Sequence, residues 1–170
     1  HDAVLALIEY PFDALYFTGF KSLDDAQCAL MGARAVYDGP VLISLVPNEE
    51  GMLSGGRTLS EGVALCDEYG ADVIGVVSDA PARVLVGFAK EMASSTDKPL
   101  LVDVSVRRKD RRQFEPTDEN PYPTADAIVE LAVRLRAQGV QFLRASGAAT
   151  PAYTGALLAT VGSSDVVVPQ

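Results

Sequence analysis

The chain has 170 residues, 48% of them apolar and 22% charged, which suits one globular domain with a substantial core. Its formal net charge of −9 argues against a general nucleic-acid binder, because neutralising phosphates needs a basic face. No apolar run approaches the roughly 20 residues needed to cross a bilayer, and the opening Asp2 to Glu9 lacks a cationic leader, so a cytoplasmic protein with no membrane partner is expected.

The first element in chain order is a short apolar run, Asp13 to Phe17. Ser22, with Asp25 three residues on, then opens a helical pattern that lasts to about Tyr37. Asp38-Gly39-Pro40 breaks it, and Val41 to Leu45 reads as a buried strand followed by a glycine-bearing loop from Val46 to Arg57. Thr58 and Glu61 have capping-box spacing for a helix that Gly70 stops, ahead of a strand from Asp72 to Val77. Val84, Leu85, Phe88, Ala89 and Met92 recur on one face of the next helix, and Pro99 to Asp103 forms the following strand.

A long loop from Val104 to Pro123 comes next, carrying the basic cluster Arg107-Arg108-Lys109-Asp110-Arg111-Arg112. Such a cluster suits a phosphate, a polyanionic cofactor or an acidic partner surface, although charge runs are more often solvated loops. Thr124 is placed to cap a helix whose Ile128, Leu131, Ala132 and Leu135 share one face, and Gly139 ends it. Strand Val140 to Leu143 leads into the small-residue loop Arg144 to Pro151, then a helix to about Val161, with Asp165 to Val168 as a final strand. The loop invites a ligand to approach the backbone, or else merely allows tight packing at a strand-to-helix turn.

Strands recurring every 30 to 40 residues with a helix between are βαβ units, so an α/β fold with a parallel sheet is expected. Length by itself favours an open doubly wound sheet, because a closed eight-stranded barrel usually takes about 250 residues. Neither a Gly-x-Gly-x-x-Gly after a strand nor a Walker-type loop is present. Cys28 and Cys66 lack nearby Cys or His at ligand spacing and read as buried structural thiols.

From Asp2 to about Val161 the order of motifs resembles the homocysteine S-methyltransferase family, which includes the homocysteine domain of cobalamin-dependent methionine synthase. The carriers are Asp13 to Phe20 followed by Ser22 to Ala26, Val41 to Leu45 before Asn48-Glu49-Glu50-Gly51, Gly70 to Val76, and Gly139 to Pro151. The resemblance implies the second half of a (β/α)8 TIM barrel, about five or six βα units in one domain over residues 1–170, with the family's first strands absent. It also implies a zinc site of three cysteines that activates the thiol of homocysteine. In this chain those cysteines align with Ser78 and with Ser146-Gly147, so the zinc expected for the family has no ligands, and no cofactor or metal site is expected. The family's substrate-holding Glu-Thr aligns with Thr18-Gly19, and its Asn with about Ser105.

Three functions compete on these residues. One is a methyltransferase-like domain of the methionine biosynthesis type whose zinc site is degenerate and whose role is scaffolding or binding. Its small-molecule ligand is expected at the strand ends, near Thr18, Ser44, Ser78, Asp79, Asp103, Ser105, Arg144 and Ser146. The second is an enzyme of changed chemistry, with Asp79 or Asp103 as general base and Arg144 holding an anionic group. In that case Asp79 competes with a plain role as helix cap, and Arg144 with pairing to an acidic neighbour. The third is an interaction module whose open sheet edges meet the rest of a methionine synthase or a second copy.

Overall fold

The structure is a computed structural model and describes residues 1–109 and 112–164. The strand expected at Asp165 to Val168, and Asp110 and Arg111 of the basic cluster, lie outside the described residues. Helix α1 (Asp2–Leu7) precedes β1 (Leu15–Phe20), α2 (Leu23–Arg34) and β2 (Val41–Leu45). A small antiparallel hairpin, β3 (Met52–Leu53) and β4 (Arg57–Thr58), leads to α3 (Leu59–Glu68) and β5 (Val73–Ser78). Then come α4 (Ala82–Ser95), β6 (Leu100–Val106), α5 (Ala127–Ala137), β7 (Val140–Gly147) and α6 (Pro151–Ser164).

Local chemistry sets the helix starts. The Ser22 hydroxyl accepts the Asp25 N–H at 3.4 Å, and Thr58 and Glu61 close the expected capping box. The cap expected from Thr124 is not used, because α5 begins three residues later, with Asp126 at its N-cap position and no side-chain cap. Two strands outrun their expected ends. β6 continues through Val104-Ser105-Val106, and β7 continues through Ala145-Ser146-Gly147, so Ser146 and Gly147 belong to a ladder rather than a loop.

The sheet order is β1-β2-β5-β6-β7, and every neighbouring pair is parallel. Each crossover therefore moves one strand over in the same direction, and right-handed crossovers of that kind stack all helices on one face. This replaces the doubly wound arrangement that length favoured, which would need crossovers in both directions and helices on both faces. Consecutive helices touch side by side, and the core lies between them and alternate strand residues: Leu15, Val41, Ile43, Ile74, Val76, Val102 and Val104. The opposite face carries Tyr16, Thr18, Leu42, Ser44, Gly75, Asp103, Ser105, Arg144 and Ser146, and among the described residues no α-helix lies over it.

The end of the sheet away from the strand carboxyl termini is tied by one arginine. Arg34 donates to the carbonyls of Gly39 and Gly70 and to Asp72 Oδ2 at 2.6 Å, while the same oxygen accepts the Val41 N–H at 2.8 Å. Burial pushes the Asp72 carboxyl up, but the bonds from Val41 and Arg34 outweigh it and leave the group below its ordinary value. Among the described residues no helix is long and apolar enough to cross a membrane.

Gly75 lies in the middle of the helix-free face, where an added Cβ would stand 2.3 Å from the Leu101 carbonyl oxygen. Gly75→Ala is expected to lower stability by about 1–3 kcal/mol, because strands β5 and β6 would have to part. Gly87→Ala, on α4 with open space around the new methyl, is expected to raise it by up to about 1 kcal/mol. Thermal melts of both variants check the pair, and an unchanged melting temperature for Gly75→Ala would contradict the close approach.

Candidate functional site

The helix-free face gathers polar side chains from four strands toward the carboxyl ends. Alternation along β1 points Tyr16 and Thr18 the same way, and the register continues that face through Ser44, Gly75, Asp103 and Arg144. Asp103 is 1% exposed, and its Oδ2 accepts Arg144 Nη1 at 2.7 Å. The Arg144 guanidinium lies 5.4 Å from the Tyr16 ring centroid and its side chain is 48% exposed, so one face of the pair meets solvent.

The Tyr16 hydroxyl reaches both Ser44 Oγ at 2.9 Å and Asp103 Oδ2 at 3.4 Å, and Ser44 in turn donates to Thr18 at 3.1 Å. A phenol has one proton, so the Ser44 and Asp103 contacts compete for it. The reach from β1 to β6 crosses two intervening strands, about 14 Å at ordinary strand spacing, which curls the sheet with this face inward. Asp103 Oδ1 is buried and has no hydrogen-bond partner. An orphaned carboxylate oxygen costs on the order of 1–3 kcal/mol or more unless a donor satisfies it.

The expected site residues fall into separate groups. Asp103, Arg144, Ser44 and Thr18 meet in the cluster just described. Ser105 and Ser146 are register partners one row further along the same face. Asp79 does not join them: it pairs with Arg107 at 2.6 Å, and Arg107 also donates to the Glu119 carbonyl. Nor does Asp79 cap α4, whose N-cap is Pro81 without a side-chain bond. Ser78 turns back on its own chain, where its hydroxyl accepts the Ala80 N–H at 3.1 Å. Its register partner Val104 belongs to the helix-facing row, whereas Ser146 pairs with Ser105, so the two positions where a thiolate site would be shared do not face each other.

Tyr16 escaped the sequence reading because it sits inside an apolar run. Its signal was the alternation Tyr16-x-Thr18, which sets both on one face of a strand. At the end of β7 the close-packing alternative is realised at Gly147. Its φ is +67°, an added Cβ would stand 2.6 Å from the Val106 carbonyl oxygen, and the Ala148 N–H donates to that same oxygen. Beside it a hollow of about 470 Å³ is lined by Arg107, Arg108, Lys109, Thr124, Thr150 and Tyr153. Part of this basic cluster is engaged within the chain, through the Arg107–Asp79 pair and a Lys109 ammonium 5.1 Å from the Phe114 ring.

Among the described residues no three His, Cys, Asp or Glu side chains are grouped to hold a metal. Serine hydroxyls and a glycine at the aligned positions do not fit a thiolate zinc site. Cys66 is buried as expected, and burial pushes its thiol up to about 12, whereas Cys28 is exposed, against the expectation of two buried thiols.

Removing Arg144 strands the buried Asp103 carboxylate, so Arg144→Ala is expected to cost about 1–3 kcal/mol. Less than that is expected when Asp103→Asn is already present. A denaturant double-mutant cycle reads this coupling, and additive effects would mean the pair does not interact. A thiol reagent at pH 8 is expected to label Cys28 quickly and Cys66 only in denaturant; rapid labelling of both would contradict the burial of Cys66.

No protein-family model matches this sequence, and no curated protein matches it. Solved structures do. The apo homocysteine methyltransferase MmuM from Escherichia coli matches with a TM-score of 0.72 at 18% identity, over 92% of this chain and 52% of that one. Dihydrodipicolinate synthase from Acinetobacter baumannii, complexed with pyruvate, matches with a TM-score of 0.61 at 15% identity, over 95% of this chain and 53% of that one. A putative deoxyribose-phosphate aldolase from Toxoplasma gondii matches with a TM-score of 0.52 at 14% identity, over 90% of this chain and 71% of that one. The chain thus spans about half the length of the first two, and its architecture is an α/β fold of parallel strands and helices similar to TIM-barrel enzymes.

Proposed function

We propose that this chain is the ligand-facing part of a homocysteine methyltransferase-like barrel whose zinc chemistry is lost and whose remaining role is to bind a small polar molecule. The orphaned Asp103 Oδ1 beside Arg144 carries this reading. In barrels of this type ligands sit at the carboxyl ends of the strands, and this pair lies within β6 and β7, with Ser105 and Ser146 one row nearer those ends. An amino acid zwitterion suits the pair: its ammonium group would satisfy Asp103 Oδ1, and its carboxylate would accept from the exposed N–H groups of Arg144. The Ser44, Thr18, Ser105 and Ser146 hydroxyls would serve the rest of such a ligand.

A thiol without a metal or an adjacent base stays mostly protonated at neutral pH, so methyl transfer to homocysteine is not part of this reading. A second reading, an enzyme that uses Asp103 as proton acceptor, draws on the same free oxygen.

The experiment uses the product of the complete reading frame that contains this chain. Saturation-transfer NMR with L-methionine and L-homocysteine is expected to show binding that Arg144→Ala and Asp103→Asn each abolish, and elemental analysis is expected to find zinc well below one per chain. Stoichiometric zinc would sink the loss of metal chemistry, and binding indifferent to both substitutions would sink the site.

A further inference from the structure

Three consecutive cations, Arg107, Arg108 and Lys109, follow directly on β6 in a chain of net charge −9, and the inward-facing Asp103 and Arg144 pair uses none of them. The fold sets them beside a hollow with a fixed frame. At its base the Ala148 N–H donates to the Val106 carbonyl at 2.8 Å, which pins the end of β7 to the end of β6 where the cations begin. On the far side the chain returns toward α5 through Pro123 to Ala125, and the Tyr153 hydroxyl of α6 holds this return by donating to the Tyr122 carbonyl at 2.9 Å. The Tyr122 hydroxyl donates in turn to the Ala80 carbonyl at 2.9 Å, fastening it to the turn after β5. The outgoing arm, the returning arm and the head of α6 thus border about 470 Å³, an ordinary size for a small-molecule site.

The positive charge around this hollow is largely uncompensated. Asp79 neutralises Arg107, but the Lys109 ammonium meets only the face of the Phe114 ring, and Arg108 has no hydrogen bond or ion pair among the described residues. No carboxylate is among the described residues that line the hollow. Its other donors are free as well: Thr124 does not cap α5, and neither its hydroxyl nor that of Thr150 has a hydrogen-bond partner among the described residues. At the head of α6 Pro151 has no N–H, and the Thr150 and Ala152 amides have no acceptor among the described residues. Two charges and several N–H and O–H donors call for a compact dianion whose oxygens only accept, which is the chemistry of a phosphate. An acidic protein surface fits less well, because it would meet the repulsion of the whole chain, whereas a small dianion within a Debye length of about 8 Å feels the local cations.

We propose that this hollow binds a small phosphate monoester. Arg108 and Lys109 hold the dianion, the Thr150 hydroxyl and the amides at the head of α6 donate to its oxygens, and Pro123, Ala125 and Tyr153 lie along its organic part. A phosphate alone would leave most of the 470 Å³ and its apolar wall unused, so the ester is favoured over the inorganic ion. The site is separate from the inward-facing pair, because Val106 and Tyr153 belong to the core on the helix side of the sheet.

The test titrates phenyl phosphate, inorganic phosphate and a short polyglutamate peptide into the product of the complete reading frame that contains this chain, by calorimetry in low salt at about pH 7.5. Phenyl phosphate is expected to bind more tightly than inorganic phosphate, and Arg108→Ala combined with Lys109→Ala to weaken it at least about tenfold. Arg108→Lys is expected to cost less, because it keeps the charge and loses only the bidentate fork. Binding is expected to weaken as the pH falls through about 6, where the ester takes up its second proton. Both cations are exposed, so the double variant is expected to melt with the parent protein and to leave any binding of L-methionine at Asp103 and Arg144 unchanged, which separates the two sites. Phenyl phosphate that does not bind, that ignores both substitutions or that binds no better than inorganic phosphate overturns the proposal. So does polyglutamate bound more tightly than the ester, which would make the hollow part of an acidic-partner surface.

Discussion

Five parallel strands connected by crossovers that always step to the next position impose one constraint on everything else in this chain. Because each crossover has the same hand and direction, every helix must land on one side, and the sheet must curl around the other. The helix side holds the main core: Ile43, Leu45, Ile74, Val76 and Val102 meet Leu30, Leu59, Leu85, Met92 and Leu131 in a single cluster. Among the described residues no helix covers the inner side, so its polar groups are satisfied by one another, by water or by a ligand.

That necessity gives the Asp103–Arg144–Tyr16 cluster its character. A carboxylate with almost no exposure would be untenable among apolar neighbours, but here a guanidinium neutralises one oxygen and a tyrosine ring supports the guanidinium. Gly75, on the strand between, lets β5 and β6 approach closely, because an added Cβ would stand 2.3 Å from the Leu101 carbonyl oxygen. The second oxygen of Asp103 is buried and has no hydrogen-bond donor within the chain. Asp79 took another course: Arg107 claims it for the loop that follows β6, and so the two aspartates that look equivalent along the chain do different things.

Much of the architecture was legible residue by residue. Glycines and prolines at Asp38-Gly39-Pro40, Gly70 and Gly139 mark where elements stop, apolar runs mark buried strands, and the Thr58–Glu61 pair marks a helix start, because all of these act over a few residues. Strand ends were less legible. Val104-Ser105-Val106 and Ala145-Ser146-Gly147 became strand only because β6 and β7 pair with each other along their whole length, and that pairing joins residues some 40 positions apart.

By itself, the sequence determined the alternation of parallel strands and helices and the residue types available, with serine, serine and glycine rather than cysteine at positions 78, 146 and 147. Each of these is a matter of local pattern or residue identity. Only the tertiary structure decided the direction of the crossovers, the helix-free face, the recruitment of Tyr16, and the separation of Asp103 from Asp79. The reason is physical: which side chains meet depends on register and on sheet curvature, and both are set by hydrogen bonds between strands far apart in the chain.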